Sequence, residues 1–128
     1  MKSVSMDWVG LLGRILMSAI FIWGGYEKAM GSTATIAYFS KEGLFMPGAA
    51  FAVALVVEIV GGILFLIGWR ARLTALVLAA WCVATAMVAH RHFADQNQMI
   101  HFMKNICMAG GFLQVVAFGA GRLSVDRR

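Results

Sequence analysis

Charge is scarce in this chain. Of its 128 residues only 13% are Asp, Glu, Lys or Arg, against 61% that are hydrophobic. A soluble domain carries about a quarter of its residues as charges, and a core of this size needs a polar cover that so few cannot supply. A water-soluble globular fold is excluded, which leaves a membrane protein.

Other shortages narrow the reading. Only two cysteines occur, Cys82 and Cys107, in separate apolar runs with no CxxC spacing, so a thiol–disulfide relay lacks its motif. Both read as small buried hydrophobes. The 11 Lys and Arg against 6 Asp and Glu never gather into a cluster with interleaved aromatics, which argues against nucleic acid as a partner. Basic residues at the ends of apolar runs suit topology and anionic lipid instead. No small-residue cleavage pattern closes the first apolar run, which ends in Tyr26-Glu27-Lys28. That segment is expected to stay in the mature protein rather than leave as a signal peptide. Alternating apolar and polar residues are absent too, so strands closing into a barrel are a poor fit.

What is present is four continuous apolar runs, about residues 8–30, 47–68, 71–89 and 102–120. Each can cross roughly 30 Å of hydrocarbon, which takes about 20 helical residues. They predict an all-α, antiparallel four-helix bundle forming one membrane domain over residues 1–128. Gly68-Trp69-Arg70 is too short to be anything but a tight turn between neighbours. The longer stretch from Gly31 to Met46 spaces Ile36, Tyr38-Phe39 and Leu44-Phe45 as an amphipathic piece at the interface. For orientation, one side of the bundle holds Lys2, Arg70, Arg72, Arg122, Arg127 and Arg128, the other Lys28, Lys41, Arg91 and Lys104. The excess places both termini in the cytoplasm.

Polar residues inside the spans are the candidates for chemistry, because charge deep in lipid is rare and faces the bundle interior. Glu58 falls near the middle of the second span. Ionised, it needs a partner; unpaired, it must become neutral. By rise per residue Arg14 lies roughly 7 Å to the inner side of centre, Lys104 and Asn105 roughly 10 Å to the outer side, and Lys28 slightly further out. A long side chain can close any of these gaps. Arg14, Ser18, Phe21, Gly25 and Lys28 share one face of the first helix. Glu58 shares its face with Ala54, Gly61, Gly62 and Phe65. Lys104, Cys107, Gly111, Gln114 and Phe118 align on the fourth helix. These three faces are expected to meet, with Lys28 turned inward and its neighbour Glu27 toward the headgroups. Two readings of Glu58 stand side by side: an ion pair that staples helices, with Arg14 as one candidate partner, or a site that binds a ligand or relays protons.

His90, His92 and His101 sit with Asp95 at the outer ends of the third and fourth helices. No recognised metal spacing links them, so no metal site is expected. His92 is the best placed to look inward, on a face with Trp81 and Thr85. An apolar slot holding a His, a Lys and a carboxylate suits the carbonyl oxygens of a quinone.

At the level of motifs, Gly25 with Lys28, Glu58 with Gly61 and Gly62, Lys104 with Asn105, and Gly119, Gly121, Ser124 and Asp126 follow one another in order. In this combination, across nearly the whole chain, the sequence resembles the DoxX family of small bacterial membrane proteins. The resemblance implies a multi-pass, four-helix protein of the inner membrane. It further implies quinone-linked redox chemistry, as in members resembling DoxD that couple thiosulfate oxidation to quinone reduction, or a place in a membrane oxidoreductase complex. The additional soluble portion expected of a thiosulfate enzyme is missing here, which argues against that substrate. Glu58 and Lys28 would then act on protons and charge, with Lys104, Asn105, His92, Trp81 and Gln114 around the ligand. Partners would be the bilayer and other redox subunits. The alternatives are a non-enzymatic scaffold held by a Glu58-centred ion-pair network, and a small-solute carrier, which would need a second copy of the chain.

Overall fold

The first helix of the computed structural model, α1, runs Val4–Met30 and is followed by a short α2, Ser32–Lys41. Then come α3 over Pro47–Ile67, α4 over Ala71–Ala89 and α5 over Gln96–Phe118. The structure describes residues 4–89 and 94–127. Four of the five helices, all but α2, are long and apolar enough to cross a membrane.

Local chemistry sets the boundaries. Pro47 opens α3 at a position where its missing N–H costs nothing. Gly68 closes it in the left-handed region at φ 76°, and the amides of Gly68 and Trp69 return to the Leu64 carbonyl at 3.0 and 3.1 Å. A Cβ at Gly68 would also collide with Ser124 Cβ, so both backbone and space require glycine. The fourth span starts at Gln96, earlier than the hydropathy predicts, because Asp95 caps it by accepting from the Asn97 amide at 2.9 Å. Polar first turns hide a helix start from a hydropathy reading.

The core is aromatic. Phe112 of α5 sits between Phe21 of α1 and Phe65 of α3, with ring centroids 5.3 and 5.0 Å away in edge-on arrangements. Leu78 and Cys82 of α4 complete it. Glycines bring the backbones together around this core. A Cβ on Gly25 would fall 2.5 Å from Ile59 Cγ1, one on Gly62 3.0 Å from Ile22 Cγ1, and one on Gly61 3.1 Å from Leu78 Cδ2. The Gly-x-x-Lys and Glu-x-x-Gly-Gly motifs are thus close-approach surfaces of α1 on α3 and of α3 on α4.

At the end carrying both termini, the chain after α5 folds back over the α3–α4 turn. Val125 and Asp126 donate backbone bonds to Ile67 and Gly68 at 2.9 and 3.0 Å. The Asp126 carboxylate accepts from the amides of Arg70 and Ala71 at 2.8 and 2.7 Å, satisfying donors that the start of α4 leaves open. Ser124 and the glycines before it shape this tail: Ser124 Oγ donates to the Gly121 carbonyl at 2.6 Å.

Candidate functional site

The site is built where α3 departs from regular helix. Residues Val56–Val60 form a single π turn with Glu58 at its centre. Such turns admit one extra residue into a helix and occur often at functional sites. Nothing in Val-Val-Glu-Ile-Val announces it, since the stretch reads as ordinary apolar helix.

Glu58 is buried, with 6% of its surface exposed, and both carboxylate oxygens face donors. Lys28 Nζ of α1 lies 2.9 Å from Oε1. Trp81 Nε1 of α4 donates to Oε2 at 3.4 Å, a long bond. The carboxylate fits against α1 because position 24 is glycine: a Cβ there would be 3.3 Å from Oε1 and 3.8 Å from Lys28 Nζ. Two helices thus converge on the acid of a third, and the ammonium keeps part of its surface free, at 31% side-chain exposure. Glu27, one residue away, is exposed, as adjacent positions on a helix face different ways.

Beside the pair lies a cavity of about 550 Å³, within the size range of ligand sites. Glu58, Lys28, Thr35, Trp81 and Thr85 supply its polar groups, and Tyr38 and Phe39 of α2 close over it. The rest of the wall is Ala, Leu and Val, including Val53, which is half exposed on the outer surface of α3. The amphipathic stretch after α1 has become the cover of the cavity. Tyr38 accepts from Gln98 Nε2 at 3.4 Å, linking that cover to the first turn of α5, and burial holds its phenol above the usual pKa, so it remains a hydroxyl at neutral pH.

Several sequence-predicted residues lie elsewhere. Arg14 does not pair with Glu58. Its guanidinium donates to the carbonyls of Leu66, in the last turn of α3, and of Ala120 and Leu123 in the tail after α5, so it ties the tail to the end of α3. Lys104 and Gln114 are exposed on the outer surface of α5, and Asn105 Nδ2 donates to the His101 carbonyl at 3.1 Å. None of the three lines the cavity. Seating the Phe112 ring between Phe21 and Phe65 turns Gln114, on the opposite side of α5, outward, whereas Asn105, two turns before Phe112 on its side of the helix, spends its amide on the His101 carbonyl. His92 and His90 fall outside the described residues. Among the described residues no three His, Cys, Asp or Glu gather as metal ligands. Tyr38, Phe39 and Thr85 enter the site although the sequence singled out only Trp81 of this wall. Their signal was the amphipathic pattern of α2 and the shared face of Trp81 and Thr85.

Comparison with known proteins follows this geometry. The DoxX family model matches residues 9–91, which include Lys28, Glu58 and Trp81. The chain is 37% identical to the inner membrane protein YqjF of Escherichia coli K12, covering 91% of this chain and 88% of that one. It is 36% identical to the inner membrane protein YphA of the same strain, over 92% and 88%. No solved structure matches. The chain belongs to the DoxX family and is a multi-pass protein of the inner membrane.

Proposed function

We propose that this DoxX-family protein holds the carbonyl head of a lipid-soluble quinone beside Lys28 and Glu58, and serves quinone-linked redox chemistry as a subunit of a membrane oxidoreductase complex. The observation that carries the reading is the pairing of a buried Glu58–Lys28 couple with a ligand-sized cavity whose wall includes the half-exposed Val53. The residues present fit such a group. Lys28 Nζ, the Trp81 indole and the Thr85 and Tyr38 hydroxyls are donors spaced around an otherwise apolar slot, and a long isoprenoid tail has an exit past Val53.

When bound, a quinone supplies a two-electron acceptor. The chain's own residues handle charge and protons. Lys28 would donate to a quinone oxygen, an interaction strengthened by the low dielectric of the slot. Glu58 would relay protons between its neighbours and that oxygen, with Trp81 orienting the carboxylate. No side chain here carries electrons unaided, so they come from a partner subunit or its cofactor. Both termini lie in the cytoplasm in this proposal, which puts the cavity in the outer leaflet.

A second reading has its own support: the couple bridges α1 and α3 directly at 2.9 Å, as a staple would. Extraction separates the two. Protein solubilised mildly from its membrane is expected to yield bound quinone in organic solvent, with loss of about tenfold or more in Lys28→Met and Glu58→Gln, the factor that removal of one charge-assisted hydrogen bond brings. Absence of quinone from the unaltered protein leaves the staple as the better account.

A further inference from the structure

At the end of the bundle that carries both termini lies a second hollow, of about 330 Å³, lined by Arg70, Arg72, Leu73 and Asp126. Folding alone gives no reason for its two arginines. Arg70 holds a left-handed backbone at φ 45°, which most side chains disfavour and glycine or asparagine adopts readily. Either would close the turn; what arginine adds is charge. Arg72 is exposed in the first turn of α4, at the positive end of that helix's dipole, where a cation is unfavourable. Among the described residues neither guanidinium makes an ion pair or a hydrogen bond. That of Arg70 rests on the Trp69 ring, 5.5 Å from its centroid.

Asp126 does not neutralise the pair. Its two oxygens accept from the backbone amides of Arg70 and Ala71, so it braces the hollow through the main chain and leaves both guanidinium groups free for another acceptor. The lining carries two positive charges against one negative, a surplus that calls for an anion. Depth says where that anion comes from. Trp69, next to Arg70 and partly exposed, belongs at the headgroup level, where an indole meets hydrocarbon and water together. Below the arginines, Leu73, Leu76 and Val77 continue exposed along one side of α4. Cationic groups at the phosphate level with an apolar track beneath them match an amphiphile, not a soluble ion.

We infer that this hollow binds one anionic glycerophospholipid, its phosphate held between Arg70 and Arg72 and an acyl chain laid along Leu73, Leu76 and Val77. The planar forks of two guanidinium groups suit phosphate oxygens. Surplus positive charge selects a head of net negative charge over a zwitterionic one, because Asp126 has spent both oxygens and offers little to an ammonium. The α3–α4 turn and the tail meet at this hollow through Asp126, so the lipid braces that junction and raises thermal stability. The site stands apart from the quinone reading: no residue lines both hollows.

Native mass spectrometry tests this on the full chain, stripped of lipid in a neutral detergent and titrated with phosphatidylglycerol or phosphatidylethanolamine. One phosphatidylglycerol per chain is expected to bind about tenfold more tightly than phosphatidylethanolamine and to raise the melting temperature. Arg70→Asn with Arg72→Gln keeps the left-handed turn and the helix. It should weaken phosphatidylglycerol about tenfold, the factor for a lost charge-assisted hydrogen bond, with the melting temperature of lipid-free protein unchanged. Arg72→Gln alone, at an exposed helical position, should show a several-fold loss and carries the test if the double variant is not recovered. Lys41→Gln with Lys104→Gln removes as much charge from exposed positions toward the other end of the bundle and should leave binding unaltered. Equal binding of the two lipids, or an equal loss in the lysine pair, overturns the proposal in favour of diffuse surface charge. Displacement of phosphatidylglycerol by millimolar inorganic phosphate at matched ionic strength overturns it in favour of a soluble phosphate.

Discussion

Lys28 and Glu58 meet at 2.9 Å across the α1–α3 contact, at the level where α3 takes its π turn and where Gly24 and Gly25 let the two helices close. Three local departures from plain apolar helix coincide there. A buried acid, a backbone irregularity and a pair of glycines each carry a cost, and together they create an ion pair with a cavity at its side.

Replacing Glu58 by Gln leaves the Lys28 ammonium partly buried beside a neutral amide. The expected loss is about 1–3 kcal/mol, with Lys28→Met similar and the double variant less than additive, since the two residues form one interaction. The coupling is read by a double-mutant cycle in chemical denaturation. Additive losses would mean that the pair is not formed.

Gly25→Ala places a methyl 2.5 Å from Ile59 Cγ1. Overpacking of this kind is expected to destabilise by about 1–3 kcal/mol, and Ile59→Ala in the same chain should restore part of it by removing the clashing atom. Gly13→Ala is the control, because a Cβ there meets nothing within 4 Å; it should be neutral or raise stability by about 0.5–1 kcal/mol through helix propensity. Thermal unfolding in a single detergent orders the three.

Arg14→Leu removes donors to three carbonyls at once. Destabilisation of about 2–4 kcal/mol is expected, and Arg14→Lys should recover little, because an ammonium lacks the planar fork that spans separate acceptors. Asp126→Ala should cost about 1 kcal/mol as a lost helix cap. Both changes should speed tryptic cleavage at Arg122 and Arg127, followed by mass spectrometry of the released tail.

A fluorescent protein fused after Arg128 is expected to mature and fluoresce, as it does only on the cytoplasmic side. A dark fusion that is expressed at normal levels would reverse the orientation assigned to the bundle and move the cavity to the inner leaflet.

The spans were legible because hydropathy dominates in lipid: apolar runs ending at Lys28, Arg70 and Arg122 can do little else. The amphipathic rhythm of Tyr38-Phe39 and Leu44-Phe45 likewise marked a piece at the interface, though not that it would roof a cavity. Glu58 stood out by depth alone. Its partner did not, because Arg14, Lys28 and Lys104 all lie within side-chain reach and depth does not rank them. What decides is competition. Carbonyls at the end of α3 and in the tail claim Arg14, and Phe112 takes the inner face of α5 while Lys104 falls outward. Neither is visible to a helical wheel, which weighs small and polar residues on one face without the volume of a ring on the other. The π turn left no trace, since its residues would be equally at home in a regular helix.

The central claim is that the space beside Lys28 and Glu58 receives a ligand. Binding of a short-tail quinone to protein in nanodiscs tests it most directly when the cavity is filled from the side. Ala84→Trp places a large ring on the cavity wall while Lys28 and Glu58 themselves stay unaltered. The account predicts saturable binding by the unaltered protein, lost in Ala84→Trp at unchanged thermal stability. Binding that is absent from the start, or that survives the tryptophan undiminished, would contradict it.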